Sequence, residues 1–198
     1  MKIRIHKLKD SIRKLGPGVR YVIWTQGCNK RCSGCMTPES RDLQGGELLE
    51  AEDLAERIVR SGRTELTISG GEPFLQAEAL AELIDKVRVR QDLGVIVYTG
   101  YVYEELKNSP DINIQKLLEK CDLIIDGPFI EELCDGKNLR GSSNQRAIPL
   151  TDRYEEFAKT VGTKPAEVEF ILDSESMVMV GVPSPDLLNR IRDKEKNY

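Results

Sequence analysis

The feature that most restricts the fold is a recurring alternation. Short apolar runs are followed by longer stretches whose apolar residues recur at helical spacing. "VRYVIWT" (Val19 to Thr25), "TELTISGG" (Thr64 to Gly71), "GVIVYTGY" (Gly94 to Tyr101) and "DLIIDGPF" (Asp122 to Phe129) read as strands. "AEDLAERIVRSG" reads as a helix with Leu54, Ile58 and Val59 on one face, ended by Gly62. "QAEALAELIDKVRVRQ" and "DINIQKLLEKC" are further helices. Strand and helix in alternation imply an α/β fold with a mainly parallel sheet and helices on its outer face. The continuous apolar cores Val95 to Val97 and Leu123 to Ile125 suit buried parallel strands. The opening "MKIRIHKLKD" alternates like a strand and lacks the apolar core of a signal peptide. No apolar run approaches the roughly 18 to 20 residues of a membrane span, so a soluble cytoplasmic protein without membrane contact is expected.

Three of the five cysteines, Cys28, Cys32 and Cys35, crowd into the loop after the Val19 to Thr25 run, spaced Cys-x3-Cys-x2-Cys. They are too close to pair conveniently with one another, and five is an odd number, which argues against a secreted disulfide framework. A structural zinc site is one alternative. It wants four protein ligands, and His6, Cys121 or Cys134 would have to supply the fourth. Cys121 ends a helix before a buried strand and reads as a core residue, whereas Cys134 lies in a polar loop. A [4Fe–4S] cluster also usually takes four cysteines. Three with no obvious fourth suggest a cluster with one iron left open for another ligand. A second motif, "SGGEP" (Ser69 to Pro73), follows the next predicted strand, where glycines let the backbone approach a ligand closely. The balance of 33 acidic against 29 basic residues, net −4, argues against a nucleic-acid partner.

With these motifs in this order the chain resembles the radical S-adenosylmethionine (SAM) superfamily. More narrowly, "CNKRCSGCM", "TISGGEP", "VYTGYVYEEL", "LIIDGPF" and "RGSSNQR", from about Gly16 to Asp152, are similar to segments of the anaerobic ribonucleotide reductase activating proteins. These are relatives of the pyruvate formate-lyase activating enzymes. The resemblance implies a partial (β/α)6 radical SAM barrel with a small carboxyl-terminal hairpin and helix extension. It implies a [4Fe–4S] cluster on Cys28, Cys32 and Cys35, with SAM chelating the fourth iron. SAM would be cleaved to a radical that takes hydrogen from a glycine of a glycyl-radical enzyme, with a flavodoxin- or ferredoxin-type electron donor. By the same resemblance Gly34, Cys35 and Met36 pass beside the adenosyl moiety, and Ser69, Gly70, Gly71 and Glu72 receive the methionyl end. Many superfamily members carry an aromatic where this chain has Gly34; the reductase-activating branch tolerates glycine there.

Thr99 and Asp126 fall at the carboxyl ends of later strands, where barrel sites gather their ligands. Asp126 is a candidate for a cation or SAM, with a turn residue before Gly127 and Pro128 as the alternative. Ser142, Ser143, Asn144 and Gln145 are candidate SAM or partner contacts, with a satisfied loop network as the alternative. Arg140 and Arg146 could reach a carboxylate. His6 is assigned no role, and Tyr98, Tyr101 and Tyr103 are read as packing. Residues 1–150 are expected to form the core domain and 151–198 an extension: a short helix, two strands joined through Asp173 to Ser176, and a helical tail. In "EVEFIL" the alternation places Val168, Phe170 and Leu172 on a buried face and Glu167 and Glu169 on a wet one. Met177 and Met179 could offer adaptable apolar surface to a partner. Two rival functions fit the same motifs: a radical SAM enzyme acting on a small molecule or peptide, and a zinc or iron–sulfur module for protein interaction.

Overall fold

The computed structural model describes residues 1–172 and 177–195, so the expected turn from Asp173 to Ser176 lies outside the described residues. Its centre is four parallel strands, β2 (Arg20–Thr25), β4 (Glu65–Gly70), β5 (Gly94–Tyr98) and β6 (Leu123–Asp126). Antiparallel strands flank them: β1 (Lys2–Ile12) and then β3 (Glu47–Glu50) on one side, β7 (Arg146–Pro149) on the other. Helices α1 (Ala51–Ser61), α2 (Ala77–Arg88), α3 (Tyr103–Lys107) and α4 (Ile112–Leu118) lie in the crossovers between the parallel strands. Among the described residues no helix is long and apolar enough to cross a membrane.

The strand pattern decides which residues meet the helices. Ile23, Leu66, Ile68, Val95, Val97 and Ile124 join Leu54, Ile58, Leu80, Leu83, Ile84 and Val87 in one buried cluster. Their neighbours Val22, Ile96, Leu123 and Ile125 turn to the opposite face, as a two-residue period requires. Helix α1 stops at Gly62, whose left-handed φ of 67° returns its N–H to Val59 O.

The chain just after Leu150 stays on the sheet, with the Thr151 N–H donating to Asp122 O. Thr151 Oγ1 bonds Asp122, and Tyr154 lies buried with Ile96, Leu123 and Ile125, just before α5 (Glu155–Ala158). Arg20 is fully buried beside Tyr154, donating to Glu65 Oε2 at 2.7 Å, Leu66 O at 2.6 Å and Tyr154 Oη at 3.3 Å. A buried guanidinium left without these acceptors would be costly, so Tyr154 belongs to the core. The tyrosine hydroxyl also bonds Glu65, and burial pushes its pKa up to about 12.

Strands β8 (Val168–Leu172) and β9 (Met177–Gly181) form the expected antiparallel pair, followed by α6 (Pro185–Glu195). Its inner face is the reverse of the expected one. Phe170, Leu172 and Met177 are 50%, 75% and 64% exposed, while Ile171, Val178 and Val180 pack on Ile12, Leu15 and Val22. The register explains the inversion. Ile171 pairs with Val178 and Glu169 with Val180, and the Glu169 carboxylate accepts the N–H groups of Arg13 and Lys14 at 2.7 and 2.9 Å. A glutamate can face inward when backbone donors wait for it.

Candidate functional site

Strands β2 and β4 are neighbours in register, Trp24 opposite Ser69 and Thr25 opposite Gly70, so the loops after them leave the sheet side by side. The two loops are zipped together through the backbone. Gly71 N–H donates to Thr25 O and Glu72 N–H to Gly27 O, both at 2.8 Å, while Gly27 N–H donates to Ser40 O at 2.7 Å. The glycines serve this contact. A Cβ on Gly71 would stand 2.2 Å from Gly27 O, and one on Gly70, where φ is 98°, 2.5 Å from Thr25 N. The close approach the sequence predicted is therefore first an approach between two loops of the same chain.

These loops form one wall of a cavity of about 410 Å³. Cys28, Cys32, Cys35 and Met36 line it from the first loop, Ser69, Gly70, Gly71 and Glu72 from the second, and Thr99 and Gly100 from the end of β5. Residues Met177 to Val182 of the hairpin line it as well. All five cysteines are free thiols. Burial pushes the Cys28 thiol up, opposed by the Lys30 N–H that donates to its sulfur. Among the described residues no three His, Cys, Asp or Glu side chains converge as they would around a single ion. Cys28, Cys32 and Cys35 nonetheless line the same wall of the cavity.

Glu72 is fully buried, and its carboxylate accepts from Phe74 N at 3.0 Å, Thr99 Oγ1 at 2.8 Å and Gly100 N at 2.8 Å. Burial raises its pKa; the three hydrogen bonds and the nearby Lys30 oppose that rise. Glu72 and Thr99 therefore brace the ends of β4 and β5 against each other, and their side-chain oxygens are engaged within the chain.

Sequence reasoning missed the residues that hold the cysteine loop, because their partners are distant in the chain. Gln26 is buried and donates to Glu39 O and Asp42 O at 2.9 and 2.8 Å, while its Oε1 meets His6 Nδ1 at 3.0 Å. His6, assigned no role, thus supports the loop and lines the cavity. Arg41 donates to Cys32 O. Lys30 lines the cavity with Nζ 3.7 Å above the centroid of the Tyr101 ring, its charge near the Glu72 carboxylate. Tyr101 also accepts from Asn29 at 2.7 Å, so its hydroxyl and ring both hold the loop.

Other expected contacts fall elsewhere. Gly34 does not line the cavity, since the side of the loop that a Cβ would occupy is filled by the Glu131 carboxylate. Asp126 is buried but lies off the cavity. Its carboxylate accepts from Tyr103 N at 2.8 Å and from Arg146 N and Nε at 3.2 and 3.1 Å, and Arg146 also grips Glu104. The cation Asp126 meets is the chain's own arginine. Asn144 donates to Pro128 O at 2.8 Å, its Oδ1 is buried without a partner, and it too lies off the cavity. Gln145 lines the cavity while bonding Gly127 O, Gly141 N and Ser142 N, so this loop is largely the satisfied network weighed as the alternative. Cys121 is buried in the core and donates to Leu117 O; Cys134 does not line the cavity.

Comparison with known proteins agrees with the thiol-lined wall. Residues 15–148 match the model of a family described as a 4Fe-4S single cluster domain. The chain is 32% identical over 143 residues to an anaerobic ribonucleoside-triphosphate reductase-activating protein of Enterobacteria phage T4, covering 69% of this chain and 88% of that one. It is 33% identical over 140 residues to the protein of the same name from Vibrio cholerae, covering 66% and 87%. It is also 33% identical over 129 residues to a pyruvate formate-lyase-activating enzyme of Clostridium pasteurianum, covering 62% of this chain and 50% of that enzyme. The chain therefore belongs to the 4Fe-4S single cluster domain family, in the branch of the anaerobic ribonucleoside-triphosphate reductase-activating proteins.

Proposed function

We infer that this chain is a radical SAM activase that installs a radical on a glycine of a partner enzyme related to the anaerobic ribonucleotide reductases or pyruvate formate-lyases. The observation that carries the reading is one cavity in which three free thiols meet the Gly70 to Glu72 loop. The donor set fits the group: three thiolates for three irons, and one iron open to SAM. When bound, the cluster and SAM supply one-electron cleavage of SAM to methionine and a 5′-deoxyadenosyl radical, which takes a hydrogen atom from the glycine Cα to leave 5′-deoxyadenosine and a glycyl radical. The reducing electron comes from a flavodoxin- or ferredoxin-type donor in the cytoplasm.

The chain's own residues bind and orient. Cys28, Cys32 and Cys35 would hold the irons, and the backbone of Gly70 to Glu72, braced by Thr99, would receive the methionyl amino group. Lys30, an ammonium in the cavity wall near the Glu72 carboxylate, would meet the methionyl carboxylate. The four parallel strands with helices on one face support a partial barrel whose inner face carries the site, and the hairpin covers part of that face. The site makes glycyl-radical activation the first reading; the cavity wall contributed by Met177 to Val182 is the observation that keeps a small-molecule or peptide substrate as the second.

Anaerobic incubation of the reduced, cluster-loaded protein and SAM with a glycyl-radical protein encoded beside it tests the reading by electron paramagnetic resonance. A glycyl radical signal that requires both SAM and the cluster is expected. SAM cleavage with no radical on any such protein would instead favour the small-molecule or peptide substrate.

A further inference from the structure

The turn between the second and third ligand cysteines is held by a residue from the far end of the sheet. Gly34 adopts a left-handed φ of 65°. A Cβ there would lie 2.5 Å from Glu131 Cδ and 2.6 and 2.8 Å from its two carboxylate oxygens. Ser33 Oγ donates to Glu131 Oε2 at 3.2 Å. The carboxylate is thus seated on the Ser33–Gly34 turn, in the volume that any side chain at position 34 would need.

Glu131 is itself fixed. It opens a short 3-10 turn, Glu131–Leu133, after β6. Ile130 N–H donates to the buried Ser142 Oγ at 3.1 Å, and Ser143 N–H to Leu133 O at 2.8 Å. Those serines belong to the same polar loop whose Gly141 and Gln145 line the cavity. A chain of contacts therefore runs from the loop after β6 to the turn that separates Cys32 from Cys35.

We propose that Glu131 is a positioning residue for the iron–sulfur site: its carboxylate clamps the Ser33–Gly34 turn, which sets the separation of the Cys32 and Cys35 thiolates, and places a negative charge beside the cluster that lowers its reduction potential. The proposal rests on the cluster assignment made above. Two physical effects are joined in one residue. The hydrogen bond and the packing hold the ligands, as groups around first-sphere ligands do. The charge disfavours the added electron of the reduced state, because net charge and hydrogen bonding near the sulfurs set such potentials. It also accounts for a glycine at position 34.

The test uses the full chain with its cluster reconstituted anaerobically, without SAM. Iron release to a chelator and the midpoint potential are measured for Glu131→Gln, Glu131→Ala, Gly34→Ala and the double variant Gly34→Ala/Glu131→Ala. Glu131→Gln keeps a hydrogen-bonding oxygen on the turn and removes the charge. It is expected to release iron at nearly the wild-type rate while its potential moves positive. Glu131→Ala is expected to release iron about tenfold to a hundredfold faster, the usual cost of losing a group behind a metal ligand. Gly34→Ala is expected to load poorly, and adding Glu131→Ala to restore part of the loading, since the clash is with that side chain. An unchanged potential in Glu131→Gln overturns the electrostatic part, and wild-type iron release in Glu131→Ala overturns the clamp. Thermal unfolding of each apo-protein separates a loosened turn from a misfolded chain: a variant that fails to fold is replaced in the comparison by Ser33→Ala, expected to speed iron release less than Glu131→Ala, and equal release to wild type there also counts against the clamp. If the wild-type chain takes up no iron at all, the cluster assignment fails instead.

Discussion

The cavity has two unlike walls. One is the pair of loops after β2 and β4, locked by backbone hydrogen bonds at Gly27, Gly71 and Glu72 and by the buried Glu72 carboxylate reaching to β5. The other is the β8–β9 hairpin, laid on Ile12, Leu15 and Val22 through Ile171, Val178 and Val180, with Glu169 gripping two backbone N–H groups. The first wall is part of the sheet and lies inside the matched family region, residues 15–148; the second lies beyond it. The three cysteines of the proposed cluster stand on the wall tied to strand register by those backbone bonds. What is added later in the chain covers and shapes the site while exposing Phe170, Leu172 and Met177.

The difference can be broken at several points. The largest effect is expected at the thiols. Cys28→Ser, Cys32→Ser or Cys35→Ser should each abolish the visible absorbance of the cluster, whereas Cys121→Ala and Cys134→Ala should retain it. Loss of iron in the Cys134 variant alone would restore a four-thiolate site. Next comes the brace. Glu72→Ala strands the Gly100 and Phe74 N–H groups and the Thr99 hydroxyl, and should lower unfolding stability by about 3 kcal/mol in urea titrations.

Glu72 also gives the fixed wall a pH signature. Its folded pKa is raised, so between the unfolded value of about 4.3 and the raised one the folded state binds more protons. Its contribution is therefore favourable below that window and is lost as pH rises through it. The stability difference between wild type and Glu72→Gln, followed from about pH 4 upward, should shift against wild type, by no more than about 1.4 kcal/mol per pH unit. A flat difference would mean that the hydrogen bonds cancel the burial.

In the hairpin, Val180→Ala should cost about 1.5 kcal/mol, two buried methylene equivalents, with the iron content unchanged. Lys30→Met should weaken SAM binding about tenfold, near 1.4 kcal/mol, and leave binding of decarboxylated SAM unaltered. Equal losses for both ligands would remove the ammonium–carboxylate contact. The smallest effect is expected on the outer face, where Leu172→Ser, at a residue 75% exposed, should alter stability by less than about 0.5 kcal/mol.

The fixed wall was largely legible in the sequence and the added wall only in part. The long periodic segments identify β2, β4, β5, β6, α1, α2 and α4, because burial on both faces of parallel strands demands continuous apolar runs. Strands β3 and β7 have four residues each, and α3 has five, too short for a period to register. The hairpin was recognised but turned over, since the donors that welcome Glu169 inward sit on Arg13 and Lys14, more than 150 residues earlier. The cysteine spacing and the Gly70–Gly71 pair announced the site through local pattern. Lys30, Gln26 and Glu131 carry no such pattern, and the bonds of Asp126 to Arg146 and of Asn144 to Pro128 join residues too far apart in the chain for a local pattern to announce.

The central claim is that this wall supports SAM cleavage, and chromatography of an anaerobic reaction containing the reduced, cluster-loaded protein and SAM tests it most directly. The account predicts 5′-deoxyadenosine and methionine in equal amounts, absent from a cluster-free control and from Cys32→Ser. An intact cluster and bound SAM with no 5′-deoxyadenosine above that control would contradict it.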